Sequence, residues 1–296
     1  MTNLQVICFG EILWDIFPEY KVIGGAPLNV ALRLASLQVN VGIVSCIGND
    51  ESGDTAARYI NSEGVVTDFV ARHKELKTGE VWVVLDKKGS ASYTISDPVS
   101  WDAIPPAPHI VEAVGKTPYF IFGSLAFRNE FNRNTMKVLL PKANTKIFDV
   151  NLRAPHYNLS IVHELMQHAD FIKLNDEELV EVCDGLGCEM NGLEERIRWL
   201  QQVTQTETIC VTQGDKGATL LCEGSLFYHP GFKVKVEDTV GAGDSFLAAL
   251  VNTLLIEQKS PENALATACA TGALVASKSG ANCSVSDEEI SALLMA

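Results

Sequence analysis

The sequence predicts an α/β fold with a mostly parallel central sheet, and two features of the chain lead to this prediction. Short apolar runs of strand length alternate with segments of helical periodicity, a pattern typical of parallel sheets covered by helices on both faces. The hydrophobic content of 47% over 296 residues is enough to bury a sizeable core. The predicted strands are 6–10, 41–47, 119–124, 146–150, 171–174 and 208–212.

One region departs from this alternation. Residues 78–95 contain two consecutive strand patterns joined by Lys-Lys-Gly at 87–89, which predicts a hairpin with no helix between its strands. Residues 16–23 also have an extended pattern. We expect these parts of the chain, about 12–23 and 76–101, to form a small β-sheet that projects from the α/β body.

Composition limits the domain count and the class of partner. No linker rich in Pro, Gly or Ser divides the chain, so residues 1–296 are expected to form a single domain. The formal net charge of −14 argues against nucleic acid or an anionic membrane as a partner, because like charges repel.

The eight cysteines predict free thiols in a reducing compartment. Most lie inside apolar runs and none forms a CxxC pair, although Cys183 and Cys188 remain alternative metal ligands. Residues 1–5 are largely polar and the apolar run that follows has only strand length, so no secretion signal is recognised. A cytoplasmic protein is therefore expected.

The stretch 237–246, EDTVGAGDSF, leads directly into an apolar helical segment. The start of a helix leaves backbone N–H groups unpaired, and glycines let that backbone approach an anion closely. Asp244 would stand beside such an anion hole, where a carboxylate is repelled by phosphate unless it serves as a base for an attacking hydroxyl. The alternative is an acidic residue that only complements the helix dipole.

A second glycine cluster, GGAPLN at 24–29, precedes another apolar helix. It is either a turn followed by a capped helix or a place where a hydroxylated substrate approaches Gly25 and hydrogen-bonds Asn29. The common phosphate loops are absent from the sequence: there is no GxxxxGK[ST], and no GxGxxG follows a strand. A P-loop fold and a dinucleotide-binding oxidoreductase are therefore disfavoured.

Together, GGAPLN near the beginning and DTVGAGDSF near the end resemble the paired signatures of ribokinase-like carbohydrate kinases of the phosphofructokinase-B type. The similarity covers essentially the whole chain. It implies a ribokinase-like three-layer α/β/α sandwich with a small β-lid formed by about 12–23 and 76–101. It also implies transfer of the γ-phosphoryl group of ATP to a sugar hydroxyl with Mg²⁺.

The resemblance implies roles for the matching residues. Asp244 resembles the base that deprotonates the acceptor hydroxyl. The anion hole for the transferred phosphoryl group would be the backbone of Gly241, Ala242 and Gly243. The sugar hydroxyls would be bound by Asp15, Gly25 and Asn29.

Asn175 and Glu178 match the family's NxxE element, which positions Mg²⁺ and phosphate through water. The same Asn-x-x-Glu pattern is also a helix capping box, and both interpretations can hold together. Lys173, two residues earlier, either reaches a phosphate or is a solvated surface lysine. Asp238 resembles part of a K⁺ site found in several relatives.

The nucleotide side of the resemblance rests on Thr212, Gly214 and Gly217 in TQGDKGA, which without the resemblance is a plain β-turn between two strands. One position departs from the family: Cys269 stands where relatives usually carry an asparagine near the adenine. This departure puts recognition of the base in doubt.

The acceptor is predicted from FDVNLR at 148–153. Asp149, Asn151 and Arg153 resemble the DxNxR element of fructokinases and sugar-acid kinases, in which the arginine faces the transferring phosphoryl group or an acidic substrate. A salt bridge at the strand end is the alternative. GEILWDIFP with GGAPLNVA favours fructokinases, and hence D-fructose, over 2-keto-3-deoxygluconate kinase or ribokinase.

Two further expectations follow from the resemblance. Relatives often pair their lids across a two-fold axis, so a homodimer through the β-lid is expected. A function from another class, a sugar- or nucleotide-binding regulator without chemistry, is disfavoured because a pure binder needs no base at Asp244.

Overall fold

A computed structural model describes residues 3–85 and 91–295 and contains two sheets and ten α-helices in that part of the chain. The strands are β1 Val6–Phe9, β2 Leu13–Ile16, β3 Lys21–Gly24, β4 Val41–Gly48, β5 Val70–His73, β6 Gly79–Leu85, β7 Ala91–Ile95, β8 Tyr119–Gly123, β9 Thr145–Asp149, β10 Phe171–Asn175, β11 Thr208–Thr212, β12 Ala218–Cys222 and β13 Ser225–His229. The helices are α1 Ala26–Ser36, α2 Glu51–Ser62, α3 Pro108–Lys116, α4 Glu130–Leu139, α5 Leu159–Gln167, α6 Asp176–Gly185, α7 Leu193–Thr204, α8 Ala242–Val251, α9 Pro261–Ala276 and α10 Asp287–Leu294.

The larger sheet confirms the predicted α/β class. Its order is β13-β12-β11-β10-β9-β8-β1-β4-β5, and the seven strands from β11 to β5 run parallel. β12 runs antiparallel to β11, and β13 runs antiparallel to β12. The connections at 213–217 and 223–224 are too short for the crossover that a parallel strand requires. The sequence did not predict the two edge strands β5 and β13, whose residues are mostly half-buried or exposed.

Helices cover both faces of this sheet, which gives three layers. One apolar cluster packs α1, α2, α8 and α9 on one face, and the other packs α3 to α7 on the opposite face. Alternate residues of β1 divide between them: Val6 and Cys8 join the first cluster, while Ile7 and Phe9 join the second. Because both faces are buried, the central strands form continuous apolar runs in the sequence.

The smaller sheet, which we call the β-lid, has the order β3-β2-β6-β7. The predicted hairpin is confirmed as the antiparallel pair β6–β7, and its Lys-Lys-Gly turn lies outside the described residues. The extended pattern at 16–23 is part of a second antiparallel pair, β2–β3. Along β6, Val81 and Val83 are buried and Trp82 between them is 50% exposed, so the face of the β-lid that carries Trp82 is open at this position.

The parallel register aligns polar residues along one edge of the large sheet. Asp149 lies opposite Gly123 and Lys173, and Asn175 lies opposite Thr212. From β1 and β8, which are neighbours, the chain proceeds to opposite sides of the sheet. In open α/β sheets, ligands bind outside the carboxyl ends of the strands at such a switch point. This edge therefore holds the candidate site.

Candidate active site

The GAGD loop forms the first turn of α8. Gly241 has φ 75° and precedes the helix, and a Cβ atom there would lie 2.4 Å from the Cβ of Ala281. Both the conformation and the close approach therefore require glycine. The helix start has no side-chain cap. Ala242 N donates to Thr239 O at 3.3 Å, while the N–H groups of Gly241 and Gly243 have no acceptor among the described residues and can face an anion.

Asp244 is held by a side chain from the other end of the chain. Asn29, in the first turns of α1, donates from Nδ2 to Asp244 Oδ2 at 2.8 Å, and Asn282 donates to Asn29 Oδ1 at 3.4 Å. Burial raises the pKa of Asp244 to about 6, assisted by the charge of Asp149 and opposed by the Asn29 hydrogen bond, Lys173 and Arg153. A carboxylate with this pKa is ionised near neutral pH and can accept a proton.

Lys173 is a buried residue and not a surface lysine. Its ammonium pairs with Asp149 at 2.9 Å, and a Cβ atom at Gly243 would be 3.3 Å from Nζ. Burial acts to lower the pKa of Lys173, but the charges of Asp149, Glu178 and Asp244 outweigh it and raise the pKa. A fixed positive charge therefore lies directly against the glycine loop, where it favours an anion.

The capping box predicted for Asn175 and Glu178 is present. Asn175 Oδ1 accepts from Glu178 N at 2.8 Å, and Glu178 Oε2 accepts from Asn175 N at 2.9 Å. The second carboxylate oxygen accepts from Leu152 N at 2.7 Å, which ties the loop after β9 to the start of α6. Burial raises the pKa of Glu178, and Lys173 opposes this shift.

The GGAPLN turn packs against Glu11, a residue to which the sequence analysis assigned no role. Gly25 has φ 116°, and a Cβ atom there would lie 2.3 Å from the backbone oxygen of Glu11. Glu11 Oε1 accepts from Ala26 N at 3.1 Å, and among the described residues its buried Oε2 has no partner. Burial raises the pKa of Glu11 to about 7. The only sequence signal was an acidic residue two positions after a strand end.

The remaining sugar-side candidates are Asp15 and Arg153. Asp15 is half-buried on β2, and burial raises its pKa to about 6 against the charge of Arg153. Arg153 follows β9, and its exposed guanidinium lowers the pKa values of Asp15, Glu11 and Asp244. The structure thus brings Arg153 within electrostatic reach of Asp15, Glu11 and Asp244.

The nucleotide-side candidates lie farther along the sheet edge. Thr212 ends β11, and Gly214 and Gly217 flank the turn into β12. Gly217 packs so closely that a Cβ atom would be 1.9 Å from the backbone oxygen of His229. Cys269 is buried on α9 and belongs to the core cluster that contains Cys210.

Asp238 ties two loops together. Its Oδ1 accepts from Val240 N at 3.0 Å, and its Oδ2 accepts from Gly280 N at 3.1 Å. Both carboxylate oxygens are therefore engaged by backbone. Each of the eight cysteines is a free thiol, and the described residues contain no cluster of three or more potential metal-ligating His, Cys, Asp or Glu side chains. Within the same residues, none of the helices has the length and apolar character needed to cross a membrane.

The family model for pfkB family carbohydrate kinases matches residues 19–288. This chain belongs to the pfkB family of carbohydrate kinases. A fructokinase-2 of Solanum habrochaites is 28% identical over 93% of this chain and 91% of its own length. A fructokinase of Vibrio alginolyticus is 29% identical over 84% of each chain.

A solved structure supports the same assignment at the level of the fold. The crystal structure of fructokinase with bound ATP from Xylella fastidiosa superposes on this pfkB-family chain with a TM-score of 0.83 at 25% identity and covers 98% of both chains. The ribokinase-like architecture predicted from the two motifs is therefore confirmed, and the protein is a carbohydrate kinase by family.

Proposed function

We propose that this protein transfers the γ-phosphoryl group of ATP to a primary hydroxyl of D-fructose. The observation that carries the proposal is the position of Asp244: a buried carboxylate with a raised pKa in the first turn of α8, directly after the glycine loop and held by Asn29. A protein that only binds sugar needs no base beside an anion-binding loop.

The residues divide the reaction between them. Asp244 accepts the proton of the attacking hydroxyl as the hydroxyl oxygen bonds to the γ-phosphorus and the bond from that phosphorus to the bridging oxygen breaks, releasing ADP. The backbone of Gly241, Ala242 and Gly243 and the Lys173 ammonium stabilise the negative charge on the migrating phosphoryl group. Asp15, Gly25 and Asn29 orient the sugar, and Arg153 faces the phosphoryl group from the loop after β9.

The nucleotide would lie along the sheet edge beside the β11–β12 turn. In this proposal Thr212, Gly214 and Gly217 contact the phosphates and ribose from that turn. Cys269 lies on α9 near the proposed adenine position, but its side chain is buried in the core. Discrimination between ATP and GTP is therefore expected to be weak.

Magnesium belongs to the same proposal, and the residues fit it. Mg²⁺ prefers one or two carboxylates together with water and substrate phosphates, and it would neutralise charge on the phosphates. Asp149 Oδ2 is a buried oxygen with no partner among the described residues. Asn175 and Glu178 would act through water, because both Glu178 oxygens already accept backbone N–H groups. K⁺ would bind beside Asp238 through backbone carbonyls.

Electrostatics favours a neutral acceptor over a sugar phosphate. The net charge of −14 repels a dianion, and the nearby cations Arg153 and Lys173 are already assigned to the transferring phosphoryl group. Steady-state kinetics with ATP, Mg²⁺ and a panel of fructose, ribose, 2-keto-3-deoxygluconate and fructose 6-phosphate tests the assignment. Fructose should give the highest kcat/KM; a higher value for another acceptor would refute fructose but retain a kinase. No ADP formation with any sugar would support the regulator.

The assembly and the location complete the proposal. The open face of the β-lid carries Trp82, which supports a homodimer formed through this sheet. The eight free thiols, seven of them buried, support a cytoplasmic location.

A further inference from the structure

Arg33 is a buried cation close to the proposed base, and neither of the two motifs assigns it a role. It lies on α1 one turn after Asn29, its side chain is almost completely buried, and no carboxylate among the described residues pairs with it. Burial lowers the pKa of Arg33, against an opposing contribution from Cys283. Burying an unpaired charge is costly, so its hydrogen bonds require an explanation.

Those hydrogen bonds run parallel to the ones that hold Asp244. Arg33 Nε donates to Ser245 Oγ at 3.1 Å, and Nη2 donates to the backbone oxygen of Cys283 at 2.8 Å. One turn earlier, Asn29 contacts Asp244 and Asn282. Two successive turns of α1 therefore each bind one residue at the start of α8 and one residue of the loop that follows α9.

We propose that Arg33 is a positioning residue for the base: it fixes Ser245 and the 280–284 loop, and thereby keeps Asp244 and Asn29 in register for proton transfer. This inference rests on the proposed function, in which Asp244 is the base. A base must lie within hydrogen-bond reach of the hydroxyl, and a displacement of about 1 Å can cost about a hundredfold in rate. The cost of burying the guanidinium is then balanced by the geometry that it imposes.

The test compares Arg33→Met with Arg196→Met. Arg196 is also a buried helical arginine, but it lies on α7 on the opposite face of the sheet and bonds Val180 and Asp184. We expect Arg33→Met to lower kcat about a hundredfold while the KM values for fructose and ATP change little. Arg196→Met should keep kcat near the wild-type value at a comparable loss of thermal stability. Equal kcat in the two variants would overturn the proposal.

Chemical rescue separates positioning from general destabilisation. Arg33→Ala leaves a cavity beside Ser245 Oγ and the Cys283 carbonyl, and methylguanidinium added at millimolar concentration should restore part of kcat. The same addition should leave the Arg196→Ala variant unchanged. If Arg33→Met does not fold, Arg33→Lys, which retains a shorter cation, should give an intermediate kcat. An Arg33→Lys variant with wild-type kcat would overturn the proposal.

A double-mutant cycle links Arg33 to the base and isolates the proposed function. If Arg33 acts through Asp244, the variant Asp244→Asn/Arg33→Met should be no slower than Asp244→Asn alone. Additive losses would overturn the link. If Asp244→Asn itself retains kcat, the proposed function of Asp244 fails, and a large loss in Arg33→Met alone would then overturn positioning through Asp244 as well.

Discussion

At the scale of single residues, the protonation state of one carboxylate decides whether the proposed base can act. Asp244 is surrounded by both signs of charge: Asp149 favours its protonated form, while Lys173, Arg153 and the Asn29 amide favour the carboxylate. Burial is the largest influence and raises the pKa to about 6. A base in this range is ionised at neutral pH and still basic enough to accept a proton during the reaction.

Replacing Asp244 by Asn is expected to lower kcat by about two to four orders of magnitude, the usual range for loss of a general base. The amide keeps the size of the side chain and an oxygen for Asn29, so the KM for fructose should change little. Steady-state kinetics measures both. In the wild type, kcat/KM should fall as the pH drops below about 6, because the protonated carboxyl cannot act as a base. Near-normal turnover in the variant would remove Asp244 from the chemistry.

Glu11 gives a prediction for stability, whose dependence on pH is opposite to that of activity: the stabilising contribution is lost as the pH rises. Its folded-state pKa is raised from 4.5 to about 7, so its protonated form stabilises the fold fully below about 4.5, and this contribution is lost as the pH rises through about 7. The difference in unfolding free energy between Glu11→Gln and wild type should therefore favour the variant more at pH 8 than at pH 5, by at most on the order of 3 kcal/mol.

Thermal unfolding at both pH values measures the Glu11 effect. An equal stability change for Glu11→Gln at pH 5 and pH 8 would contradict a raised pKa.

At the scale of elements, two loops from the last third of the chain build the floor of the site. The 237–241 segment and the 280–284 loop are joined by Asp238, which accepts from Gly280 N, and by Gly241, which packs against Ala281. The second loop occupies the space beside Gly241, the residue that precedes α8. The proposed anion hole is therefore formed jointly by two loops and a helix end.

The variant Gly241→Ala should lose both stability and kcat, because the new methyl group would have to displace Ala281. Gly64 is the matched control: it also has a positive φ, 85°, but nothing lies within 4 Å of a Cβ atom there. Gly64→Ala should cost only the backbone strain, about 1–2 kcal/mol, with kcat unchanged. Thermal unfolding and turnover measure the pair; similar losses in both variants would show that the contact with Ala281 is unimportant.

At the scale of the whole molecule, the β-lid is a part of the fold that leaves an apolar side chain exposed on one of its faces. Val81 and Val83 are buried, whereas Trp82 on the opposite face is 50% exposed and lies beside Ile16 and Thr94 in the register. A small sheet with an open apolar face is marginal in water unless another surface covers it. A second copy of the β-lid would supply that cover.

The protein is accordingly expected to be a dimer at micromolar concentration, and Trp82→Ser should shift it to the monomer. Phe131 on α4 is equally exposed at 50% and lies outside the β-lid, so Phe131→Ser should remain dimeric. Light scattering on the three proteins tests this. A monomeric wild type would rule out a stable dimer through the β-lid.

The sequence by itself determined the features that depend on local periodicity and local hydrogen bonding. The six predicted strands of the large sheet lie where the apolar runs lie, because strands buried on both faces need uninterrupted apolar residues. The capping box at Asn175–Glu178 forms as its spacing predicts, since it is closed within four residues. The paired glycine motifs identified the kinase family by resemblance.

The tertiary structure alone decided which distant residues meet. Asn29 and Asp244 are 215 positions apart, and Arg33 reaches Ser245 and Cys283 only because α1 packs against α8. The burial of Lys173 against Asp149 depends on the register of two strands, and a lysine in isolation gives no sign of it. Glu11 carries a raised pKa because the folded chain buries it, with Gly25 packed against its backbone. Burial and long-range electrostatics arise from packing, so neither can be deduced from a local pattern of residues.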